Sequence, residues 1–290
     1  MKPISKNITW LVVAIALIAG VVAAISLFDN TSVNVGAQIK TISGGTVELY
    51  GKGIYHNDSL SMAVQAKGQD LVTLFIGVPF LIYALFKNRQ NSIKGRFYLT
   101  GALAYFLYTY TIYCLAGTFN SMFVLYVILM SLSFYSFLAC MTSFELSTIH
   151  TYFQKKLPIK YLSISNLIFA FLIGMNWLSY LIPQTTALKL EHYTTFPVQA
   201  MDLGIILPAI VFSSIMLLRK HNWGYLLLPI LMFKALTLLL ALDAMIIFML
   251  ANGVEVSIAE QLIFPIYTLI VGFNFYLIQK NIRNIIKLEK

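Results

Sequence analysis

Long apolar runs separated by short polar stretches dominate the sequence. A helix needs about 20 mostly apolar residues to cross about 30 Å of hydrocarbon, and several segments approach that length. They are Ile8 to Phe28, Leu71 to Phe86, Phe97 to Ala116, Ser121 to Ser143, Tyr161 to Ile182, Leu203 to Leu218, Trp223 to Ala251 and Gln261 to Gln279. The pattern therefore predicts an all-α fold, a polytopic bundle of eight transmembrane spans.

The composition agrees with a protein that lies mostly in lipid. Of the 290 residues, 59% are hydrophobic and only 11% are charged, and the mean hydropathy is +0.80. A soluble domain carries about 25% charged residues. These figures exclude an ordinary globular enzyme, a disordered chain and a soluble nucleic-acid-binding protein. The two cysteines cannot form a disulfide framework.

The charges between the spans predict how the chain is threaded. Most lysines and arginines fall in alternate connecting segments, which are Met1 to Asn7, Lys87 to Arg96, Phe144 to Lys160, Arg219 to Asn222 and Lys280 to Lys290. The positive-inside rule makes these segments cytoplasmic. We thus expect a plasma-membrane protein with both termini in the cytoplasm and the loop 29–69 outside. The net charge of +9 then reflects topology and does not indicate a nucleic-acid partner.

The first span shares its pattern with secretory signal peptides, because Lys2 and Lys6 precede an apolar run that ends in small residues. That run of about 20 residues is longer than the usual apolar region of a signal peptide. We expect a retained membrane anchor.

A short pattern occurs in both halves of the chain. Its parts are Val64-Gln65-Ala66, Asp70-Leu71, Pro79 and Gly95 in the first half, and Val198-Gln199-Ala200, Asp202-Leu203, Pro208 and Gly224 in the second. It predicts two four-span repeats, residues 1–160 and residues 161–290. Units with an even number of spans are parallel and related by an axis along the membrane normal. The alternative is a chance likeness between two proline-containing helices.

The outer loop 29–69 is too long to be a simple connection. Within it, Ala37 to Ile42 and Thr46 to Tyr50 flank Ser43-Gly44-Gly45, which predicts a small β-hairpin. The residues Asn57-Asp58-Ser59 are typical of the start of a helix that leads into the second span.

Two stretches resemble a family of uncharacterised bacterial multi-pass integral membrane proteins. The first runs from Thr46 to Tyr55 and continues in Gly68 to Leu74, and the second runs from Pro197 to Pro208. The resemblance covers most of the chain. It implies a multi-pass topology and no known activity.

Ionisable residues within spans are candidates for function, because a charge in hydrocarbon is unfavourable. Lys234 lies about 16 Å along its predicted helix, close to the bilayer midplane. Asp70 and Asp202 begin their spans and Asp243 approaches the same outer boundary, while Tyr105 matches Lys234 in the repeat. These five residues predict a ligand-binding cavity between the halves, with an acidic mouth above a buried cation.

Such a cavity would attract a cationic or protonatable solute, and an anion or deprotonation would relieve the charge of Lys234. The alternative is structural: Asp70 and Asp202 stabilise helix N-termini, Lys234 pairs with a neighbouring span, and Tyr105 belongs to a packed stripe of hydroxyl side chains. The short spans interrupted by Pro79 and Pro208 favour a transporter-like site.

Catalytic motifs are not found: the sequence has no glycine-rich phosphate loop, nucleophile elbow or His-Glu zinc helix. We therefore predict no catalytic residue, bound metal or cofactor, and this absence of motifs favours a protein without enzymatic activity while leaving the question open. The expected partners are the lipid bilayer and a small solute or proton. One alternative is a sensor or assembly subunit that binds a protein through the outer loop, and another is a membrane-embedded enzyme that acts on lipid through its aspartates.

Overall fold

The computed structural model of the chain describes residues 6–41, 43–182 and 190–283. Parts of the predicted cytoplasmic segments, at residues 1–5 and 284–290, lie outside the described residues. So does Ile42, the last residue of the predicted first strand.

Helices form most of the structure, as predicted. They are α1 (Lys6–Phe28), α2 (Leu60–Val72), α3 (Val78–Arg89), α4 (Ile93–Leu115), α5 (Phe123–Thr142), α6 (Ile159–Leu181), α7 (Pro197–Met201), α8 (Leu207–Leu218), α9 (Asn222–Ala251) and α10 (Ile258–Asn281). A π-helical turn, Thr73–Gly77, joins α2 to α3, and a second one, Asp202–Ile206, joins α7 to α8. Each pair therefore forms one long helix that contains a wider turn.

Seven helices among the described residues are long and apolar enough to cross a membrane. They are Asn7–Phe28, Leu60–Arg89, Phe123–Thr142, Ile159–Leu181, Pro197–Leu218, Asn222–Ala251 and Ile258–Asn281. Each contains or overlaps one of the predicted spans. The chain is thus an all-α, multi-pass type of membrane protein.

Helix α4, the third predicted span, does not meet the same criterion of length and apolarity. Its tyrosines lower its hydropathy, and most of its side chains are buried, because it packs between α3, α5 and α9. Near its start, Phe97 stacks on Phe144. Just after its end, the backbone N–H of Thr118 donates to Asp58. Helix α4 therefore runs from one end of the bundle to the other.

Several local features recur at a spacing of 129 residues. They are the two π-turns, Pro79 and Pro208, the positive φ of Asn91 and Lys220, the capping residues Ser92 and His221, and Gly95 and Gly224. Helix α3 packs on α4 as α8 packs on α9, and α4 packs on α5 as α9 packs on α10. The two matching helices α4 and α9 also pack against each other at the centre.

The outer loop contains the predicted hairpin, formed by the antiparallel strands β1 (Gln38–Lys40) and β2 (Thr46–Glu48). Gly44 lies in its turn with a φ of 88°, a left-handed conformation that favours glycine. Ser59 caps α2, because its side chain accepts a hydrogen bond from the backbone N–H of Met62. The predicted hairpin and helix start are both confirmed.

The connection between α5 and α6 lies at the opposite end of the bundle. It contains a 3-10 helix, Leu146–Tyr152, that packs on α9. Gln154 donates its backbone N–H to Asn281 at the end of α10, and Arg283 donates to Tyr152. At this end of the bundle, the segment between α5 and α6 is therefore hydrogen-bonded to the end of α10.

Candidate functional site

A cavity of about 320 Å³ lies at the end of the bundle that carries the outer loop. Side chains of α2, α4, α6, α9 and the second π-turn line it together with the loop residues that precede α2 and α7. Eight of the described lining residues are aromatic, and three are the acids Asp58, Glu191 and Asp202. No lysine or arginine is among them. The wall is thus rich in rings and acidic in charge.

Lys234 lies beneath this cavity in the middle of α9, and only 2% of its surface is exposed. Its Nζ atom is 3.6 Å from the centroid of the Tyr108 ring. It has no hydrogen-bond partner among the residues that the structure describes. An ammonium over the face of an aromatic ring is attracted by the ring's negative face, so Tyr108 is the group that receives this buried cation.

Asp202 is the first residue of the second π-turn, and it accepts two hydrogen bonds. The hydroxyl of Tyr108 donates to Oδ1 at 2.8 Å, and the indole N–H of Trp177 donates to Oδ2 at 3.0 Å. Tyr108 therefore contacts Lys234 with its ring and Asp202 with its hydroxyl. This places a buried positive and a buried negative group on either side of one tyrosine.

A second, smaller cavity of about 50 Å³ borders both Asp202 and Lys234. Lys234 lines the smaller cavity, whereas Asp202 and Trp177 line both. The other walls of the smaller cavity are mostly apolar side chains, with Leu238 shared between the two. Asp202 is thus positioned at the boundary between the large cavity and Lys234.

Asp70 is placed differently from the sequence-based expectation. Helix α2 begins at Leu60, so Asp70 lies in the third turn and not at a helix N-terminus. It is fully buried and accepts hydrogen bonds from Ser26, from Tyr55 at 2.7 Å and from Tyr113 at 2.9 Å. Tyr55 and Tyr113 line the cavity and Asp70 does not. Its carboxylate is therefore satisfied behind the wall.

Tyr105 and Asp243 also lie outside both cavities. The Tyr105 hydroxyl accepts a hydrogen bond from Gln69 at 2.6 Å and is 2.8 Å from the hydroxyl of Thr73. Asp243 accepts a hydrogen bond from Thr268 of α10 at 2.7 Å. Of the five residues predicted for one site, the structure brings together Asp202 and Lys234 and leaves Asp70, Tyr105 and Asp243 in separate contacts.

Several residues of the cavity were not identified from the sequence. Tyr108 lies one turn from Tyr105 on α4 but outside the predicted stripe, and Trp177 has the position of an ordinary tryptophan at a membrane boundary. Asp58 was not among the five residues predicted for this site. Asn176, a polar residue that follows the apolar run of residues 167–175 and precedes Trp177, is the signal that marks this part of α6.

Asp58 joins two connecting segments at the end of the bundle where the large cavity lies. Its Oδ1 accepts hydrogen bonds from the backbone N–H of Thr118 and from the hydroxyl of Tyr193, both at 2.9 Å. Burial raises the pKa of Asp58 above its ordinary value, while these two hydrogen bonds act in the opposite direction. Tyr193 also accepts a hydrogen bond from the backbone N–H of Ser59, so it is held by the same turn.

No protein-family model, curated protein or solved structure matches this chain. Within the described part of the chain, no three side chains of histidine, cysteine, aspartate or glutamate come close enough together to hold a metal ion. The cavity and its polar groups are therefore the features from which a function can be inferred.

Proposed function

We propose that this chain is an eight-span plasma-membrane protein that handles a small solute through the cavity between its two four-helix halves. The observation that carries the proposal is the cavity itself, whose floor joins Asp202 to the buried Lys234 through Tyr108. Ligand cavities in proteins span about 300–1,000 Å³ and combine apolar walls with a few polar groups. A volume of about 320 Å³ suits a small molecule.

Two observations support the eight-span topology. Seven helices meet the criterion of length and apolarity, and α4 runs between the two ends of the bundle. A central helix can carry tyrosines because its neighbours, and not lipid, surround it. With eight spans both termini lie on one side, and the positive-inside rule makes that side the cytoplasm. The hairpin loop and the mouth of the cavity then face outward.

The recurring features support the division into residues 1–160 and 161–290. A π-turn occurs at the same place in both halves, two residues before a proline. Wide turns and prolines leave backbone groups without their usual helical partners, and membrane proteins use such helices around binding sites. Asp202 of the second π-turn lines the cavity, and Thr73 of the first bonds to Tyr105.

Filling the cavity tests the proposal. Leu238 of α9 lines both cavities, whereas Ile247 of the same helix is exposed on the bundle surface. Purified protein would be screened for thermal stabilisation by a panel of small charged and neutral solutes. A solute at 100 times its Kd stabilises the folded state by about 2.7 kcal/mol. We expect stabilisation of the wild type and of Ile247→Trp, and its loss in Leu238→Trp.

Two outcomes contradict the proposal. One is that no solute of the panel stabilises the wild type. The other is that Leu238→Trp, once its folding is confirmed by its helical circular dichroism, responds to the solute as strongly as Ile247→Trp does.

A further inference from the structure

We propose that the solute of this cavity is a small organic cation, an ammonium compound that binds over the tyrosine rings and against Asp202. This inference rests on the proposed function, because it names the chemical class of the ligand for the same cavity. Three independent features of the wall support it: its charge, its rings and the position of Lys234.

The charge of the wall favours a cation. Asp58, Glu191 and Asp202 line the cavity, and the described lining residues include no lysine or arginine. The protein as a whole is basic, with a net charge of +9, so the acidic character of the described lining residues differs from that of the rest of the chain. A cavity lined by one sign of charge concentrates ligands of the opposite sign, and low-dielectric walls strengthen the effect.

The aromatic side chains favour a cation that is poorly hydrated. Eight of the described lining residues are aromatic: six tyrosines, Trp177 and Phe196. Aromatic faces attract ammonium groups, and cages of such rings recognise quaternary ammonium ligands. A strongly hydrated inorganic ion would make less use of these apolar faces. The combination of rings and carboxylates therefore indicates an alkylated ammonium.

Lys234 shows that this part of the protein already holds an ammonium group on a ring. Its Nζ lies over Tyr108, and Tyr108 donates to Asp202, which faces the larger cavity. Lys234 itself lines only the smaller cavity. A bound cation would thus share the negative charge of Asp202 with Lys234. Asp202 attracts such a ligand, whereas Lys234 repels it. Replacing each residue in turn therefore reveals the sign of the ligand charge.

Trp177 provides a direct reporter, because its indole N–H bonds to Asp202 and its ring lines the cavity. The other two tryptophans, Trp10 and Trp223, are exposed on the bundle surface. In the background Trp10→Phe with Trp223→Phe, the fluorescence of Trp177 would be titrated with choline and with its neutral isostere 3,3-dimethyl-1-butanol. We expect a saturable change with choline and none with the isostere at the same concentrations.

Two substitutions in that background determine the sign of the charge that is recognised. Asp202→Asn should weaken choline binding about tenfold or more, because it removes the counter-charge. Lys234→Met should tighten it, because it removes a like charge beneath the ligand. Glu255→Gln removes an exposed carboxylate outside the cavity and should leave the titration unchanged.

The comparison of choline with its isostere is made with Asp202 and Lys234 unchanged. It therefore does not depend on the folding of a variant at either position. Equal responses to both compounds, or the opposite signs for Asp202→Asn and Lys234→Met, would overturn the cation assignment. In those cases a solute still binds in the cavity, and the proposed function survives. If neither choline nor any solute of the earlier panel changes the signal, the cavity does not bind solutes and both proposals fail.

Discussion

At the scale of single residues, three carboxylates that were predicted to share one site have three different environments. Asp70 receives three hydroxyl donors in a closed network, Asp243 receives one from Thr268, and Asp202 receives two and also borders a cavity. A buried charge without donors is strongly unfavourable, so each must recruit partners from neighbouring helices. The sequence located these acids and could not locate their partners.

Lys234 is the residue for which the sequence-based expectation was closest to the structure. The spacing from Trp223 placed it deep in its helix, and it is buried there. Asp243 lies nine residues farther along the same helix, which is about 13.5 Å along the axis, so it cannot be the partner of Lys234. The group that Lys234 contacts is the ring of Tyr108 on α4. Tyr108 lies 126 positions earlier in the chain.

Asp58 gives a prediction about pH. Burial raises the pKa of Asp58, so the carboxyl group binds a proton more readily in the folded chain than in the unfolded chain. The contribution of Asp58 to stability therefore increases as the pH falls toward its ordinary pKa of 3.8. We expect Asp58→Asn to unfold at the wild-type temperature or above it at pH 7. Its melting temperature should also gain less than that of the wild type between pH 7 and pH 5.

Asp58→Ala is the matched control, because it removes both the charge and the acceptor of the Thr118 and Tyr193 hydrogen bonds. Leaving buried donors unpaired costs about 1–3 kcal/mol. Thermal unfolding at both pH values separates the variants. A loss of stability at pH 7 that is as large for Asn as for Ala would show that the carboxylate charge itself stabilises the loop.

At the scale of the elements, the sequence predicted the middles of the helices better than their ends. The second span was expected at Leu71 to Phe86, and the helix extends from Leu60 to Arg89. Its first turns are polar, and side chains such as Gln65 and Gln69 face the cavity instead of lipid. A search for apolar runs omits such turns because it assumes that a membrane helix is apolar on every side. The same assumption makes the tyrosine-rich α4 the least typical of the predicted spans.

The tight turns before α4 and α9 allow a prediction about packing. A Cβ at Gly95 would lie 2.4 Å from the backbone C atom of Lys87, and one at Gly224 would lie 2.3 Å from the backbone N of Leu217. Backbone atoms cannot move aside as a flexible side chain can. We expect Gly95→Ala and Gly224→Ala each to destabilise the protein by about 1–3 kcal/mol, measured by thermal unfolding in detergent.

Gly272 of α10 is the control, since a Cβ there would lie 3.7 Å from Leu236 Cδ1, an ordinary contact. Gly272→Ala should be neutral or slightly stabilising, because alanine favours a helix over glycine by about 1 kcal/mol. If Gly95→Ala melts at the temperature of Gly272→Ala, the close approach of α3 and α4 is not required for stability.

At the scale of the whole molecule, the sidedness of α4 decides between seven and eight spans. Gln90 and Phe119 are exposed residues on either side of α4. Single cysteines would be introduced as Gln90→Cys or Phe119→Cys after replacement of Cys114 and Cys140, the native free cysteines. We expect a membrane-impermeant maleimide to label Phe119→Cys in intact cells and Gln90→Cys only after permeabilisation. Labelling of both positions from the same side would remove α4 from the set of spans and place the two termini on opposite sides.

The sequence by itself determined the class of the protein, the positions of its apolar helices, the hairpin and the place of Lys234 in the middle of its helix, because each depends on local composition or on spacing along one helix. Only the tertiary structure decided which side chains meet. Tyr108, Trp177, Asp202 and Lys234 come from α4, α6, the second π-turn and α9, and their contacts follow from how these helices pack. Helices that are apolar on most faces carry little information about which neighbour each face will meet. The cavity therefore results from the packing of the helices, and the sequence pattern does not specify those contacts.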